Sequence, residues 1–150
     1  ANLTLMAWVY PTAYGRLSGI IGNHRYVGAG SRGYALVLDE YGHVGMVITK
    51  ANGTAQWIWS SGIVKINTWS HISGVFDGTS LQVFINGVLS ARLSIPFTAM
   101  MPTDDRMMIG YYHGSHRSYF NGSSDNVSTW GLRPAAADFF SSGKQAAVHR

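Results

Sequence analysis

The sequence has 150 residues, of which 46% are hydrophobic and 12% are charged, and its formal net charge is +4. The hydrophobic content excludes a disordered chain, and the length suits one domain with a sizeable core. A weak positive charge without a Lys or Arg run gives no sign of nucleic-acid binding. The absence of Cys excludes disulfides, thiolate metal sites and a Cys nucleophile. No apolar run has the length of a transmembrane helix.

The first predicted strand, residues 2–10, has two largely apolar faces and ends at Pro11. An apolar residue on both faces is typical of a strand inside a sheet, so we expect a central position. Further along, the pattern predicts a short strand at residues 17–22 and a loop at residues 24–33. A hairpin of residues 34–38 and 44–49 is predicted about the turn Glu40-Tyr41-Gly42.

A short aromatic strand is predicted at residues 56–59, followed by Ser60-Ser61-Gly62. Alternation along a strand puts Trp57 and Trp59 on one face and Ile58 on the other. Two tryptophans on one face are either part of the core or an exposed platform. We favour the core interpretation.

Residues 69–95 predict a three-stranded antiparallel meander. Its turns, Asp77-Gly78 and Asn86-Gly87, are typical of two-residue hairpin loops, which need positive φ. Period-2 alternation between and after these turns indicates one buried face for each strand. The predicted inward residues are Leu81, Val83, Ile85, Leu89, Ala91, Leu93 and Ile95.

The last third of the sequence predicts more extended structure. Its elements are a strand at residues 107–112, a polar loop at 113–118, an extended segment at 119–130, a helical turn at 134–140 and a tail at 141–150. Many short strands joined by glycine-rich turns indicate an all-β sandwich or barrel.

Several stretches together resemble the laminin-G-like, concanavalin A-like jelly-roll superfamily. They are residues 3–12, Thr68-Trp69-Ser70-His71-Ile72, Phe76-Asp77-Gly78, residues 83–87, residues 108–110 and 119–122, Ser124-Asp125-Asn126-Val127, and Leu132-Arg133-Pro134. The resemblance implies an antiparallel jelly-roll β-sandwich over residues 1–140. In that family an earlier strand closes the sandwich, so we expect the edge at residues 119–130 to be covered by an upstream segment, the tail or a neighbouring chain.

The resemblance also raises the question of cofactor and catalysis. It places a calcium ligand at Asp125, but the neighbouring Ser124 and Asn126 depart from the family pattern, so no cofactor is predicted, with calcium as the alternative.

Retaining glucanases need two carboxylates about 5–5.5 Å apart on one strand face. The single Glu, Glu40, is adjacent to Asp39, and adjacent residues of a strand face opposite ways. We therefore predict that the protein is not an enzyme.

Two loops combine cationic, aromatic and polar side chains, which suit sugar recognition by stacking and hydrogen bonding. The predicted ligand-binding residues are Arg25, Arg32, Tyr111, Tyr112, His113, His116 and Arg117. The competing interpretations are solvated loop charges for the arginines and an ordinary polar loop beside core tyrosines.

Two functions follow as hypotheses. The favoured one is a non-catalytic recognition module, binding carbohydrate, in a larger extracellular or surface protein. The alternative is a structural or decoration protein of a virion or surface assembly, which uses the same fold for protein–protein contacts and oligomerisation. The expected partner is a glycan or a surface protein, without nucleic-acid binding or membrane insertion.

Overall fold

The computed structural model describes residues 2–27, 30–95, 100–101, 103–113 and 118–131. These residues form fourteen β-strands and no helix. The strands are β1 (Leu3–Pro11), β2 (Leu17–Gly22), β3 (Arg25–Val27), β4 (Gly30–Arg32), β5 (Tyr34–Asp39), β6 (His43–Thr49), β7 (Ala55–Ile63), β8 (Ser70–Phe76), β9 (Ser80–Ile85), β10 (Val88–Ser94), β11 (Met108–Ile109), β12 (Tyr111–Tyr112), β13 (Ser118–Tyr119) and β14 (Gly122–Gly131).

The strands form two five-stranded antiparallel sheets. Sheet A has the order β10-β9-β8-β1-β14, and sheet B has the order β11-β2-β5-β6-β7. Two short hairpins, β3–β4 and β12–β13, complete the described structure. This arrangement confirms the predicted all-β antiparallel jelly-roll sandwich. The described residues contain no helix with the length and apolar character that crossing a membrane requires.

The main core lies between the two sheets, and period-2 alternation supplies it. Strand β1 buries Leu3, Leu5, Ala7 and Val9 on one face, while Trp8 on the other face is exposed. Strand β1 lies between β8 and β14, as its apolar faces predicted. Because a fully buried Leu or Val contributes about 1.5–3 kcal/mol, this inner face is a main source of stability.

Sheet B is apolar on its outer face as well. A second, smaller cluster there contains Ala35, Val37, Val47 and Tyr112, with Leu17, Ala55 and Trp57 packed against it. Alternation explains the two clusters, since Leu36 and Leu38 of the same strand point into the main core. The outer cluster forms the floor on which the candidate site is built.

Three predicted elements differ from the structure. The strand predicted at residues 107–112 is divided at Gly110, which has φ 73°, into β11 and β12. Residues 24–33, predicted as a loop, form the hairpin β3–β4, because their backbone groups pair across the short turn. Strand β7 continues to Ile63, past the predicted end at Trp59, because Ser60 Oγ accepts a hydrogen bond from Val44 N and Gly62 N donates to Ser90 Oγ.

The predicted meander is confirmed, but two residues of its last strand that were predicted to face inward, Leu89 and Leu93, are 47% and 36% exposed. The register of β10 against β9 shifts between Leu89 and Ala91, so Leu89 lies opposite Phe84 while Leu93 lies opposite Leu81. Such a bulge inserts one extra residue and reverses the alternation on one side of it. Leu89 is therefore exposed rather than inward as predicted.

The helical turn predicted at residues 134–140 and the tail at 141–150 lie outside the described residues. Within the described residues, β14 pairs with β1 and forms one end of sheet A. Coverage of that edge by another strand stays a prediction, as does the domain boundary at residue 140.

The second turn of the meander provides a direct test of the fold. Asn86 has φ 52° and Gly87 has φ 78°, and Asn86 Oδ1 also accepts a hydrogen bond from His71 N at 2.8 Å. We expect Asn86→Val to lower the free energy of unfolding by about 1–3 kcal/mol, because a β-branched residue is strained at positive φ. Urea denaturation measures the change.

Asn86→Gly is the matched control, because it removes the same hydrogen bond but tolerates positive φ. We expect Asn86→Gly to lose less stability than Asn86→Val. Equal losses in the two variants would show that backbone strain is not the cause.

Candidate functional site

Two tryptophans stand on the outer face of sheet B. The ring centroids of Trp57 and Trp59 are 5.5 Å apart and their planes differ by only 3°. Trp59 lies directly over Gly45 of β6, where an added Cβ atom would be 2.4 Å from the indole ring. Ile58 points the opposite way and belongs to the main core. The core interpretation is therefore wrong for Trp59, which is 40% exposed, whereas Trp57 packs against the smaller outer cluster and not against the main core between the sheets.

A buried His–Tyr pair adjoins Trp57. The Nδ1 atom of His24 is 2.9 Å from the hydroxyl oxygen of Tyr112, and the two rings are nearly parallel with centroids 5.8 Å apart. Both rings meet Trp57 edge-on, at centroid distances of 5.6 and 6.2 Å. Burial lowers the pKa of His24 to about 4 and raises the pKa of Tyr112 to about 12. Both side chains are consequently neutral at pH 7.

An open cleft of about 550 Å³ lies beside this aromatic group, and we call it the Trp57 cleft. The side chains that line it are aromatic or carry hydroxyls, and glycine backbone forms part of its wall. The lining residues are His24, Tyr26, Gly30, Ser31, Gly53, Thr54, Ala55, Trp57 and Tyr112. Hairpin β3–β4 contributes one side, held by the hydrogen bond from Ser31 N to Gly53 O. A cleft with aromatic faces, hydroxyls and no carboxylate in its lining suits a neutral polar ligand.

A second cavity, of about 140 Å³, lies on the other side of the His24–Tyr112 pair, and we call it the Arg25 cavity. Its lining is Gly22, Asn23, His24, Arg25, Ala35, Asp105, Arg106, Met108, Tyr111, Tyr112 and His113. Arg25 Nη1 forms an ion pair with Asp105 Oδ1 at 3.1 Å. Asn23 also donates a long hydrogen bond, 3.4 Å, to the Asp105 carbonyl. These contacts tie β3 to the segment before β11.

Two polar atoms near the boundary of these spaces lack partners. His24 Nε2 and Arg25 Nε are both buried and have no hydrogen-bond partner among the described residues. A buried polar atom without a partner costs about 1–3 kcal/mol, and such atoms concentrate at functional sites. A small shift of either side chain would let it bind a polar group of a ligand.

The structure brings together four of the predicted site residues. Arg25, Tyr111, Tyr112 and His113 all line the Arg25 cavity, and Tyr112 also lines the Trp57 cleft. Arg32 lies opposite Arg25 in the β3–β4 register but is exposed and lines neither space. His116 and Arg117 lie outside the described residues. Their roles in binding, and those of the other predicted residues, stay predictions.

Sequence reasoning missed His24, Asp105 and the role of Trp57. His24 follows the short strand β2 and resembles an ordinary loop residue, whereas the structure buries it to 4% exposure. The pairing of Gln56-Trp57-Ile58-Trp59 with a strand that contains Gly45 was an available signal. A glycine opposite a tryptophan leaves room for the ring to lie on the sheet.

Asp77 and Asp125 do not share a calcium site. Asp77 accepts hydrogen bonds from the backbone of Thr79 and Ser80, which lower its pKa to about 2. Asp125 Oδ1 accepts one from Asn126 N. Phe76 lies opposite Leu3 and Asp125 opposite Trp8, so the two carboxylates are separated by roughly 17 Å along β1. Within the described residues, no group of three or more acidic or histidine side chains converges on one point.

The carboxylates adjoining the turn between β5 and β6 do not reach the cleft either. Asp39 Oδ1 accepts hydrogen bonds from Tyr41 N and His43 N, which is a turn-stabilising role. Glu40 is exposed in the same turn. Among the described residues, no pair of carboxylates lines the Trp57 cleft.

Comparison with solved structures finds the same fold in sugar-binding and laminin domains. The CBM40 domain of the Ruminococcus gnavus IT-sialidase, bound to α2,3-sialyllactose, has a TM-score of 0.67 and 17% identity, over 95% of this chain and 82% of that one. A candidate carbohydrate-binding protein of Bacteroides ovatus has a TM-score of 0.67 and 16% identity, over 91% of this chain and 39% of that one. Domains LG4-5 of the mouse laminin α1 chain have a TM-score of 0.60 and 15% identity, over 85% of this chain and 34% of that one.

This chain thus spans less than half of the Bacteroides and laminin structures. The comparison with curated proteins returned no match. A family model of the laminin-G type matches residues 1–137. The chain therefore belongs to the concanavalin A-like lectin/glucanases superfamily, as its strand and turn motifs indicated.

Proposed function

We propose that the protein is a non-catalytic, carbohydrate-binding recognition module of an extracellular or surface protein, and that the Trp57 cleft is its binding site. The observation that carries the proposal is the placement of Trp57 and Trp59 on the outer face of sheet B, beside a cleft with hydroxyl-bearing walls. The C–H face of a pyranose ring stacks on an indole, and sugar hydroxyls need polar partners around that contact.

The lining residues have distinct roles in this proposal. Trp57 supplies the apolar surface for the sugar ring, and Thr54 and Ser31, which also line the cleft, supply hydroxyls. Tyr26 is 64% exposed at the mouth of the cleft, where it can cover a bound ring. His24 and Tyr112 fix the position of Trp57 through their edge contacts with it.

Two further observations support the proposal. The CBM40 domain that shares this fold was solved with a sialyllactose bound, which makes glycans the first ligands to test. The absence of a carboxylate pair from the described lining supports a binding role without hydrolysis.

The test is a glycan array followed by calorimetry on the best binder. We expect Trp57→Ala to weaken binding at least tenfold, because it removes the stacking surface, and Trp57→Phe to keep most of the affinity. Tyr41→Ala is the matched control, since Tyr41 is an aromatic residue of similar size, 66% exposed, in the β5–β6 turn and outside the cleft.

Equal binding by Trp57→Ala and the wild-type protein would reject the cleft as the site. No glycan binding on the array, together with concentration-dependent self-association, would favour the alternative of a structural or decoration protein of a virion or surface assembly. Release of sugar from a bound oligosaccharide would contradict the non-catalytic part of the proposal.

A further inference from the structure

The outer face of sheet A, on the opposite side of the sandwich from the Trp57 cleft, contains a depression of about 300 Å³. Among the residues that the structure describes, four line it: Trp8, Trp69, Asp125 and Asn126. The two tryptophans are 40% and 45% exposed. Large aromatic side chains grouped beside polar ones on a surface mark a binding site more often than scattered single apolar residues do.

A β-bulge creates this depression. Met6 lies opposite Ser128 and Trp8 opposite Asp125, so one residue of β1 faces two residues of β14, Asn126 and Val127. In a regular strand the neighbours Asp125 and Asn126 would face opposite sides of the sheet. Val127 is instead buried in the main core, and the extra residue Asn126 stays exposed beside Asp125. The bulge thus places a carboxylate and an amide together at the depression.

The backbone at the bulge is unusual for this residue type. Asn126 has φ 50°, one of three positive φ values at non-glycine residues within the described part of the chain. The other two are Asn67 and Asn86, and Asn86 lies in a hairpin turn. Asn126 instead lies inside the ten-residue strand β14. Bulges that redirect a side chain occur preferentially next to functional sites.

Neighbouring rings hold the two indoles in place. The Tyr10 ring is 5.5 Å from the Trp69 ring, and the His71 ring meets Trp8 edge-on at 5.3 Å. Tyr10 and Trp8 both project from β1 on its outer face, since Val9 between them is fully buried. Trp8 and Tyr10 are therefore held on a paired strand, which fixes their geometry better than a loop does, and Trp69 comes directly before β8.

We propose that this depression, which we call the Trp8 site, is a second saccharide-binding site that accepts one neutral sugar ring. Its volume suits a single pyranose. Trp8 and Trp69 supply stacking surface, and the Asn126 amide offers both a donor and an acceptor for ring hydroxyls. A carboxylate has up to four acceptor positions, so Asp125 can accept sugar hydroxyls in addition to its bond from Asn126 N.

The charge of the Trp8 site sets the ligand class. Asp125 is the only acidic or basic residue among the four that line it, and its negative charge repels the carboxylate of an acidic sugar. The neutral hydroxyls of a hexose are not repelled by the Asp125 carboxylate. A quaternary ammonium ligand is the competing occupant, because indole faces beside a carboxylate also attract cations.

The experiment uses the full chain carrying Trp57→Ala, so that the Trp57 cleft does not contribute to the signal. The chain has five tryptophans, so the Trp57→Ala protein gives four indole N–H signals, each assigned by a Trp→Phe variant. The probes are the methyl glycosides of glucose, mannose, galactose and N-acetylglucosamine, with N-acetylneuraminic acid and choline as separate arms. We expect saturable shifts of the Trp8 and Trp69 signals with at least one neutral glycoside.

Two variants test the residues of the site. Asn126→Gly retains the positive φ but removes the amide, and Trp69→Ala removes a stacking surface, so each should weaken the neutral glycoside at least tenfold. Trp130→Ala is the matched control, because Trp130 is an exposed tryptophan of the same sheet outside the depression. In each variant the indole signals of the tryptophans that remain report whether the protein is folded.

Three results would overturn the proposal. The first is that no neutral glycoside shifts the Trp8 and Trp69 signals in the Trp57→Ala background. The second is that choline or N-acetylneuraminic acid shifts them while the neutral glycosides do not. The third is wild-type affinity in folded Asn126→Gly. Each result leaves binding at the Trp57 cleft, measured in the protein with Trp57 intact, unaffected.

Discussion

Acidification from pH 6.5 to pH 4 should destabilise the protein through one residue, His24, by about 3 kcal/mol. The ring of His24 is 4% exposed, and burial lowers its pKa from 6.5 to about 4. A difference of roughly 2.5 pKa units between the unfolded and folded states corresponds to about 3.4 kcal/mol.

The direction of the effect follows from proton binding. Between pH 6.5 and pH 4 the unfolded chain binds a proton at His24 and the folded protein does not, so falling pH favours unfolding. The contribution is fully present above pH 6.5 and is lost as the pH falls to about 4. Urea denaturation at half-unit pH intervals measures the slope of the unfolding free energy.

His24→Gln should flatten this slope, whatever its effect on absolute stability. His43→Gln is the control, because His43 lies at the surface end of β6, where its Nδ1 is 3.2 Å from Gly62 O. We expect the control to retain the wild-type slope. An unchanged slope in His24→Gln would mean that His24 is not the group responsible.

The fold could be predicted largely because its signals are local. Asp77-Gly78 and Asn86-Gly87 fix the hairpins, and the positive φ at Gly78, Asn86 and Gly87 is what those turns require. Alternation correctly identified the buried face of β1 and of β9. Leu89 was misplaced because a bulge depends on how two strands pair, and neither strand specifies that alone.

The candidate site was harder to predict because its residues meet only through sheet B. The sequence places Trp57 and Trp59 on one face of β7, but which face points to sheet A depends on the packing of the whole sandwich. His24 acquires its neighbours Trp57 and Tyr112 from strands far along the chain. Arg25 and Tyr112 were predicted as ligand-binding residues, because clustered aromatic and cationic residues in loops can be recognised from the local sequence.

Gly19→Ala should damage both the fold and the candidate site. Gly19 lies on the outer face of β2, and an added Cβ atom would be 2.2 Å from the carbonyl oxygen of Tyr111. That oxygen belongs to the backbone, so no side-chain rotation relieves the collision and β12 must move away. If β12 moves, Tyr112 loses its hydrogen bond with His24 and its ring contact with Trp57. We expect a stability loss at the upper end of roughly 1–3 kcal/mol.

Glycan binding at the Trp57 cleft should fall at least tenfold in the same variant, because Tyr112 lines the cleft. Gly62→Ala is the matched control. An added Cβ atom there would be 3.3 Å from Ser90 Oγ, a hydroxyl that can shift, so we expect a loss below about 0.5 kcal/mol and unchanged binding. Thermal unfolding and calorimetry measure the two quantities in both variants. A Gly19→Ala protein with wild-type stability and affinity would show that β12 does not pack on β2 in this way.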